Sequence, residues 1–242
     1  MTFQQETTED DPHTAFVRQQ YRDLMMQVKS GTITEEEGAD NCLRTHLLLE
    51  KRADHDGLTG LLNQRAFALN LKKEVELSER KQDWNKVLMR IDVDKFKRVN
   101  DIHGHQTGNL VLMAISEALT ARLRKTDVVG RVGGDEFAII LTGIDEHNAR
   151  VLAEELRNLV RERVKEAYQP IISQEISLGI VQFKKGLKEE ELDKIADGEA
   201  YKEKRAKKKA EKGLLNRLGG LPGRSRLREL LSGLPFLQNN SK

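Results

Sequence analysis

The chain has a single cysteine, Cys42, in 242 residues, so no internal disulfide can form, and a lone thiol in a helical pattern reads as a small packing residue rather than a nucleophile. Redox chemistry is set aside. No apolar run approaches the roughly 20 residues needed to span a bilayer. The start Met1-Thr2-Phe3-Gln4-Gln5-Glu6 carries neither the basic nor the apolar region of a secretory signal. A cytoplasmic protein is expected. The stretch before Asp56 is too short for most sensor domains. What is present, 38% hydrophobic and 33% charged residues, is the composition of a globular chain able to bury one sizeable core.

The net charge of +2 conceals an asymmetry, since Tyr201 onward holds 12 Lys/Arg against 3 Asp/Glu and leaves −7 on residues 1–200. A basic end of this kind meets phosphates or anionic surfaces, but a solvated tail is the simpler expectation, and nucleic acid is not the expected partner. Within the tail, Leu227, Leu230, Leu231 and Leu234 stand among Arg224, Arg226 and Arg228. That short amphipathic segment suits peripheral membrane contact as well as docking on protein.

Four parts are expected: a disordered start over 1–12, a helical segment over 13–53, the main domain over 54–212 and the tail over 213–242. In the second, Phe16, Val17, Leu24 and Val28 follow a helical period that stops at Ser30-Gly31. Thr34 with Glu37 has the form of a capping box, and Leu43, Leu47 and Leu48 give a second helix an apolar stripe running toward Arg52. This predicts a helical hairpin, which would either pack on the main domain or pair two copies of the chain.

From Lys86 the periods alternate. Val87 to Val93 reads as a strand, and Val111, Ala114, Ile115, Ala118 and Leu119 as one face of a helix. Asp127 to Val132 and Glu136 to Leu141 read as strands around Gly133-Gly134, where glycine's tolerance of positive φ suits a tight hairpin. A helix through Leu152, Leu156, Leu159 and Val160 and a strand through Ile176, Leu178 and Ile180 complete βαββαβ. The fold class is α+β, ferredoxin-like, an antiparallel sheet backed on one face by two helices.

In that layout Asp92 and Asp94, at the end of the first strand, approach Asp135 and Glu136 of the central hairpin. Carboxylates crowded in this way repel unless a cation neutralises them, and hard oxygen donors suit Mg²⁺ or Mn²⁺. Such an ion serves phosphoryl chemistry by neutralising phosphate oxygens and lowering the pKa of an attacking hydroxyl.

Three runs carry a resemblance: DGLTGLLNQRAF at Asp56 to Phe67, IDVDKFKRVNDIHGH at Ile91 to His105, and RVGGDEF at Arg131 to Phe137. From Asp56 to about Lys208 the chain resembles the GGDEF family of diguanylate cyclases. The resemblance implies a palm-like fold in which two GTP, one on each of two facing subunits of a homodimer, condense to cyclic di-GMP and two pyrophosphates. It implies that Asp92, Asp135 and the Val93 carbonyl hold the metal, with Glu136 binding metal or helping to activate the 3′-hydroxyl. Phe96 and Lys97 would lie near the triphosphate, Asn100 at the guanine, and Lys204 and Lys208 on the phosphates. Arg124 and Asp127 form an R-x-x-D spaced as in the family's inhibitory product site.

Two stretches depart from the family pattern. After GH the family carries x-x-GD, and its Asp pairs with guanine; here the pair is Gly108-Asn109. An amide offers one acceptor and adds a donor, a set that pairs bidentately with adenine. The late helix reads ADGEAYKEKRAKKK, with Glu199 and Glu203 at normally small positions and Lys208 in place of arginine. Alternatives to the cyclic di-GMP reading are a synthase of mixed GMP–AMP product and a degenerate receptor for cyclic di-GMP or GTP.

Overall fold

The structure is a computed structural model that describes residues 12–34, 36–41, 43–44, 54–167 and 174–219. It divides into two units, Met1–His55 and Asp56–Lys242. No helix among the described residues is long and apolar enough to cross a membrane.

In the first unit, α1 spans Pro12–Lys29 and ends in a turn with Gly31 at φ 70°. The expected capping box is present. Thr34 N–H donates to Glu37 Oε2 at 2.8 Å, and Glu37 N–H donates to Thr34 Oγ1 at 3.2 Å, which starts a helical stretch over 36–41. Buried Gly38 lies against Val28, whose Cγ2 would be 2.5 Å from an added Cβ. Leu43, expected on an apolar stripe, is exposed. Residues 1–11, the side chains of Phe16 and Val17, and Cys42, Leu47, Leu48 and Arg52 lie outside the described residues, as does the leucine-containing tail from 220 onward.

The second unit opens with α2, Gln64–Lys81, which the βαββαβ reading did not include. Asn63 caps it by accepting from Ala66 N–H at 3.0 Å, and Ala66, Phe67, Leu71, Val75 and Ser78 make its buried face at helical spacing. Then follow β1 (Lys86–Val93), α3 (Phe96–Arg122), β2 (Val128–Arg131), β3 (Glu136–Thr142), α4 (Glu146–Ala167), β4 (Ile176–Gln182) and α5 (Glu189–Gly219). α3 breaks at Gly104, where φ of 84° interrupts the helix. The sheet runs β2-β3-β1-β4, every neighbour antiparallel, as a ferredoxin-like βαββαβ order requires.

Helices cover both sheet faces rather than one. Val87, Met89 and Ile91 of β1 pack with Val111, Ile115 and Leu119 of α3 and Leu156 and Val160 of α4. On the other face Leu88, Ala138, Ile140 and Val181 pack with Phe67 and Leu71 of α2 and Leu192 and Ala196 of α5. The cause is the near-continuous burial along β1, β3 and β4, a pattern that needs apolar neighbours on both sides.

Both sheet edges are covered. Along β2, Leu62 N–H donates to Val129 O at 3.3 Å and Arg131 N–H to Leu62 O at 2.8 Å. Along β4 the outward N–H groups of Leu178 and Ile180 donate to Glu203 at 3.1 Å and Glu199 at 3.2 Å. These two glutamates, one turn apart on α5, thus take the place of a neighbouring strand. Gly179 lies between them because α5 crosses there at backbone contact: an added Cβ would stand 1.7 Å from Ala196 O.

Candidate active site

The central hairpin closes by Val132 N–H and Gly133 N–H donating to Glu136 O at 2.9 and 3.3 Å. Neither Gly133 nor Gly134 has positive φ, contrary to the sequence expectation. Gly133 instead lies close against Glu136, whose Oε2 and Cβ would stand 2.9 and 3.1 Å from an added Cβ, so a side chain there would crowd the glutamate. Arg131 braces the turn: its Nη2 donates to Gly134 O at 2.7 Å and its Nη1 to Asp56 Oδ1 at 3.1 Å. Asp56 also accepts from Thr59 N–H and Oγ1 at 2.9 and 2.7 Å. Burial raises the Asp56 carboxyl, but the Thr59 bonds and the Arg131 charge outweigh it and hold the group below its ordinary value. Asp56 and Arg131 stood inside quoted motifs without a role; the structure shows them fixing the hairpin to the loop ahead of α2.

The hairpin lies beside the end of β1, with Asp92 opposite Glu136 and Val93 N–H donating to Asp135 O at 3.0 Å. Three of the expected acids, Asp92, Asp135 and Glu136, are therefore neighbours. The fourth, Asp94, accepts from Ser177 Oγ at 2.7 Å and Lys207 Nζ at 3.0 Å and so joins β4 to α5, while its charge still acts on Asp92.

Lys204, on α5, reaches Asp92 with Nζ at 2.5 Å from Oδ1. Glu136 has a longer contact to Arg90, at 3.4 Å. The Asp135 side chain makes no hydrogen bond or ion pair among the described residues. Burial raises the Asp92 carboxyl, and Asp135 and Asp94 add to the rise against the lowering effect of Lys204. Glu136 is also raised, first by burial and then by Asp92, Asp197 and Asp135 against Arg90.

No three carboxylate, imidazole or thiolate groups surround a common ion position among the described residues. In kind, the donors fit a hard divalent ion: an unpaired Asp135, a raised Asp92 held by a single ammonium, and an excess of negative charge. Lys204 offsets part of this negative charge through Asp92.

Of the other expected residues, Asn100 and Gly108 meet across the break in α3. Asn100 Oδ1 is buried without a hydrogen-bond partner among the described residues, and a Cβ on Gly108 would lie 1.8 Å from it. Phe96 is half-buried beside them, whereas Lys97 and Asn109 are exposed. Lys208 is exposed, without a hydrogen bond or ion pair among the described residues, while neighbouring Lys207 bonds Asp94, Ile176 O and Glu203.

Arg124 and Asp127 lie just before β2, at the opposite end of that strand from the hairpin, and line a cavity of about 430 Å³ with Asn85, Arg122, Asn148 and Glu155. Asp127 accepts from Arg124 N–H at 2.9 Å and Thr142 N–H at 3.2 Å, so it shapes the loop. The Arg124 guanidinium has no hydrogen-bond or ion-pair partner among the described residues.

Residues 53–210 match the family described as diguanylate cyclase, GGDEF domain. The chain belongs to the GGDEF family. Diguanylate cyclase DosC of Escherichia coli K12 is 39% identical over 151 residues, which are 62% of this chain and 33% of DosC. The chain thus spans about a third of that relative's length. Among solved structures, diguanylate cyclase SiaD of Pseudomonas aeruginosa, in complex with its activator SiaC, superposes with a TM-score of 0.59 at 28% identity, over 79% of this chain and 74% of that one. The coiled coil and GGDEF domain of DgcB from Caulobacter crescentus, in complex with c-di-GMP, gives 0.62 at 26% identity, over 74% and 96%. In this GGDEF domain the signature residues Asp135 and Glu136 are the hairpin acids described above.

Proposed function

We propose that this GGDEF domain is a diguanylate cyclase that condenses two GTP to cyclic di-GMP and two pyrophosphates in the cytoplasm, each of two facing subunits holding one GTP. The observation that carries the reading is the register of Asp92 against Glu136 with Asp135 next to them in the hairpin, unpaired among the described residues, an acid cluster with surplus negative charge at the end of β1. Asp92, Asp135 and the Val93 carbonyl would hold Mg²⁺ or Mn²⁺, with Glu136 adjoining.

The ion, when bound, neutralises phosphate oxygens and favours the alkoxide of the attacking 3′-hydroxyl. Glu136, raised by burial and its acidic neighbours, would accept the hydroxyl proton. Lys204 serves the phosphates from α5, and exposed Lys97 and Lys208 are further cations for them. Lys208 would act as a point charge, without arginine's planar fork. Asn100 and Asn109, on either side of the break in α3, take the base.

Asn109 favours a second reading, a synthase that also accepts ATP and forms the mixed GMP–AMP product. Its amide offers adenine a donor and an acceptor, and replaces the paired acceptance that a carboxylate gives guanine. The loss for guanine is about 1 to 2 kcal/mol, roughly tenfold in affinity. Arg124, with its free guanidinium, is proposed to bind the phosphodiester of the product as a feedback site.

Incubation of the purified protein with Mg²⁺ and GTP, ATP or their mixture, followed by product mass, tests both readings. Cyclic di-GMP from GTP alone supports the first, and a mixed product from both nucleotides supports the second. Product from neither contradicts both.

A further inference from the structure

We infer that Arg122 is a second phosphate-binding arginine of the Arg124 cavity, and that Glu155 masks it in the ligand-free protein. The inference rests on the proposed reading of Arg124 and Asp127 as a product site. Arg122 ends α3 and Glu155 lies on α4, and both line the cavity of about 430 Å³ that Arg124 enters. Their side chains form an ion pair: Arg122 Nε and Nη2 stand 2.7 and 2.6 Å from the same Glu155 oxygen. The two guanidiniums of the cavity therefore differ in state. Arg124 is unpaired among the described residues, whereas Arg122 is held by a carboxylate that an anion must displace to reach it.

The strength of the pair makes displacement feasible. The Arg122 and Glu155 side chains are 44% and 46% exposed, and pairs so exposed hold by a factor of up to roughly five. A phosphodiester offers Arg122 two non-bridging oxygens where Glu155 offers it one, and adds contacts to Arg124. Asn85 and Asn148, whose side-chain amides have no partner among the described residues, line the same cavity and supply donors and acceptors for attached bases. Glu155 also places a negative charge beside the ligand's own. It thus weakens product binding twice, by occupying Arg122 and by repulsion, and sets a higher product concentration for feedback.

Calorimetric titration of the full chain with cyclic di-GMP tests this on wild type, Arg124→Ala, Glu155→Gln, Arg122→Gln and the Arg122→Gln/Glu155→Gln double variant. All the changes lie at exposed side chains. The expected result is binding by wild type, at least about tenfold weaker binding by Arg124→Ala, and about three- to tenfold tighter binding by Glu155→Gln. Most of that gain disappears in the double variant. Unchanged or weaker binding by Glu155→Gln, or a gain kept in full when Arg122 is also replaced, overturns the masking role and leaves the product site standing. Wild-type affinity in Arg124→Ala, or no binding by either wild type or Glu155→Gln, removes the product site and this inference with it.

Discussion

Lys204 Nζ on α5 lies 2.5 Å from Asp92 Oδ1 at the end of β1, and both groups titrate above their ordinary values. An isolated ion pair lowers its acid and raises its base. Burial alone would lower Lys204, but the bond and charge of Asp92, with Asp135 and Asp94, hold it up; Asp92 is raised first by burial and then by Asp135 and Asp94, against Lys204. The neighbouring acids push both groups upward, and that shared negative charge is what a second cation would offset.

Binding of a divalent cation should therefore depend on pH. Asp92 and Glu136 are raised in the folded state, so their ionisation opposes folding. That penalty is absent below their unfolded values and complete above their folded ones. A divalent ion binds the ionised forms. The increase in Tm produced by Mg²⁺ or Mn²⁺ should accordingly grow as pH rises from the ordinary carboxylate range, about 4, through the raised folded values. A Tm increase that is flat or shrinks over this range counts against a cation site at these acids.

Glu203 should behave in the opposite sense. Burial raises it, but Arg157, Lys207 and the Leu178 N–H together outweigh burial and hold it low. Its contribution is present above the ordinary glutamate value and is lost as pH falls through the lower folded value. Arg157 grips both its oxygens at 2.7 Å. Glu203→Ala should cost about 2 to 3 kcal/mol in urea unfolding, and Glu203→Gln less, because it still accepts from Leu178 N–H. Equal stability of Glu203→Ala and wild type would show that the β4 edge does not need this carboxylate.

Gly179→Ala should cost about 2 kcal/mol or more, since the new methyl meets α5 backbone rather than a side chain that can move aside. Thermal melting checks this. The same displacement carries Lys204 away from Asp92, so nucleotide turnover should fall further than the loss of folded protein explains.

Asn109→Asp should restore paired acceptance toward guanine and raise the GTP over ATP preference by about tenfold, read from kcat/KM for the two nucleotides. Asn109 is exposed, so folding stability should hardly change. An unchanged preference assigns base choice to other residues.

The parts of this site written locally in the chain were legible from it. Strand periods gave the βαββαβ order, and RVGGDEF with Asp92 gave a hairpin of acids beside the first strand. What was hidden depends on side chains meeting far along the chain. Glu199 and Glu203 looked like misplaced charges on a packed helix until the free N–H groups of Ile180 and Leu178 appeared opposite them. Asp94 stands two residues from Asp92 in sequence, but it lies just past the end of β1, where Ser177 and Lys207 claim it. The buried face of α2 follows a clear helical spacing from Ala66 to Val75, a signal that overlaps the DGLTGLLNQRAF motif and runs on beyond it.

The central claim is that Asp92 and Asp135 form the catalytic cation site of a GTP-condensing enzyme. It is tested most directly by measuring pyrophosphate release and product mass together, with GTP and Mg²⁺, for wild type, Asp92→Asn and Asp135→Asn. The account predicts pyrophosphate and cyclic di-GMP in equal step from wild type, rising more steeply than in proportion to protein concentration because two subunits must meet. It predicts a fall of at least about a hundredfold for either variant. Wild-type rates in Asp135→Asn, or no cyclic dinucleotide from wild type at high protein concentration, would contradict it.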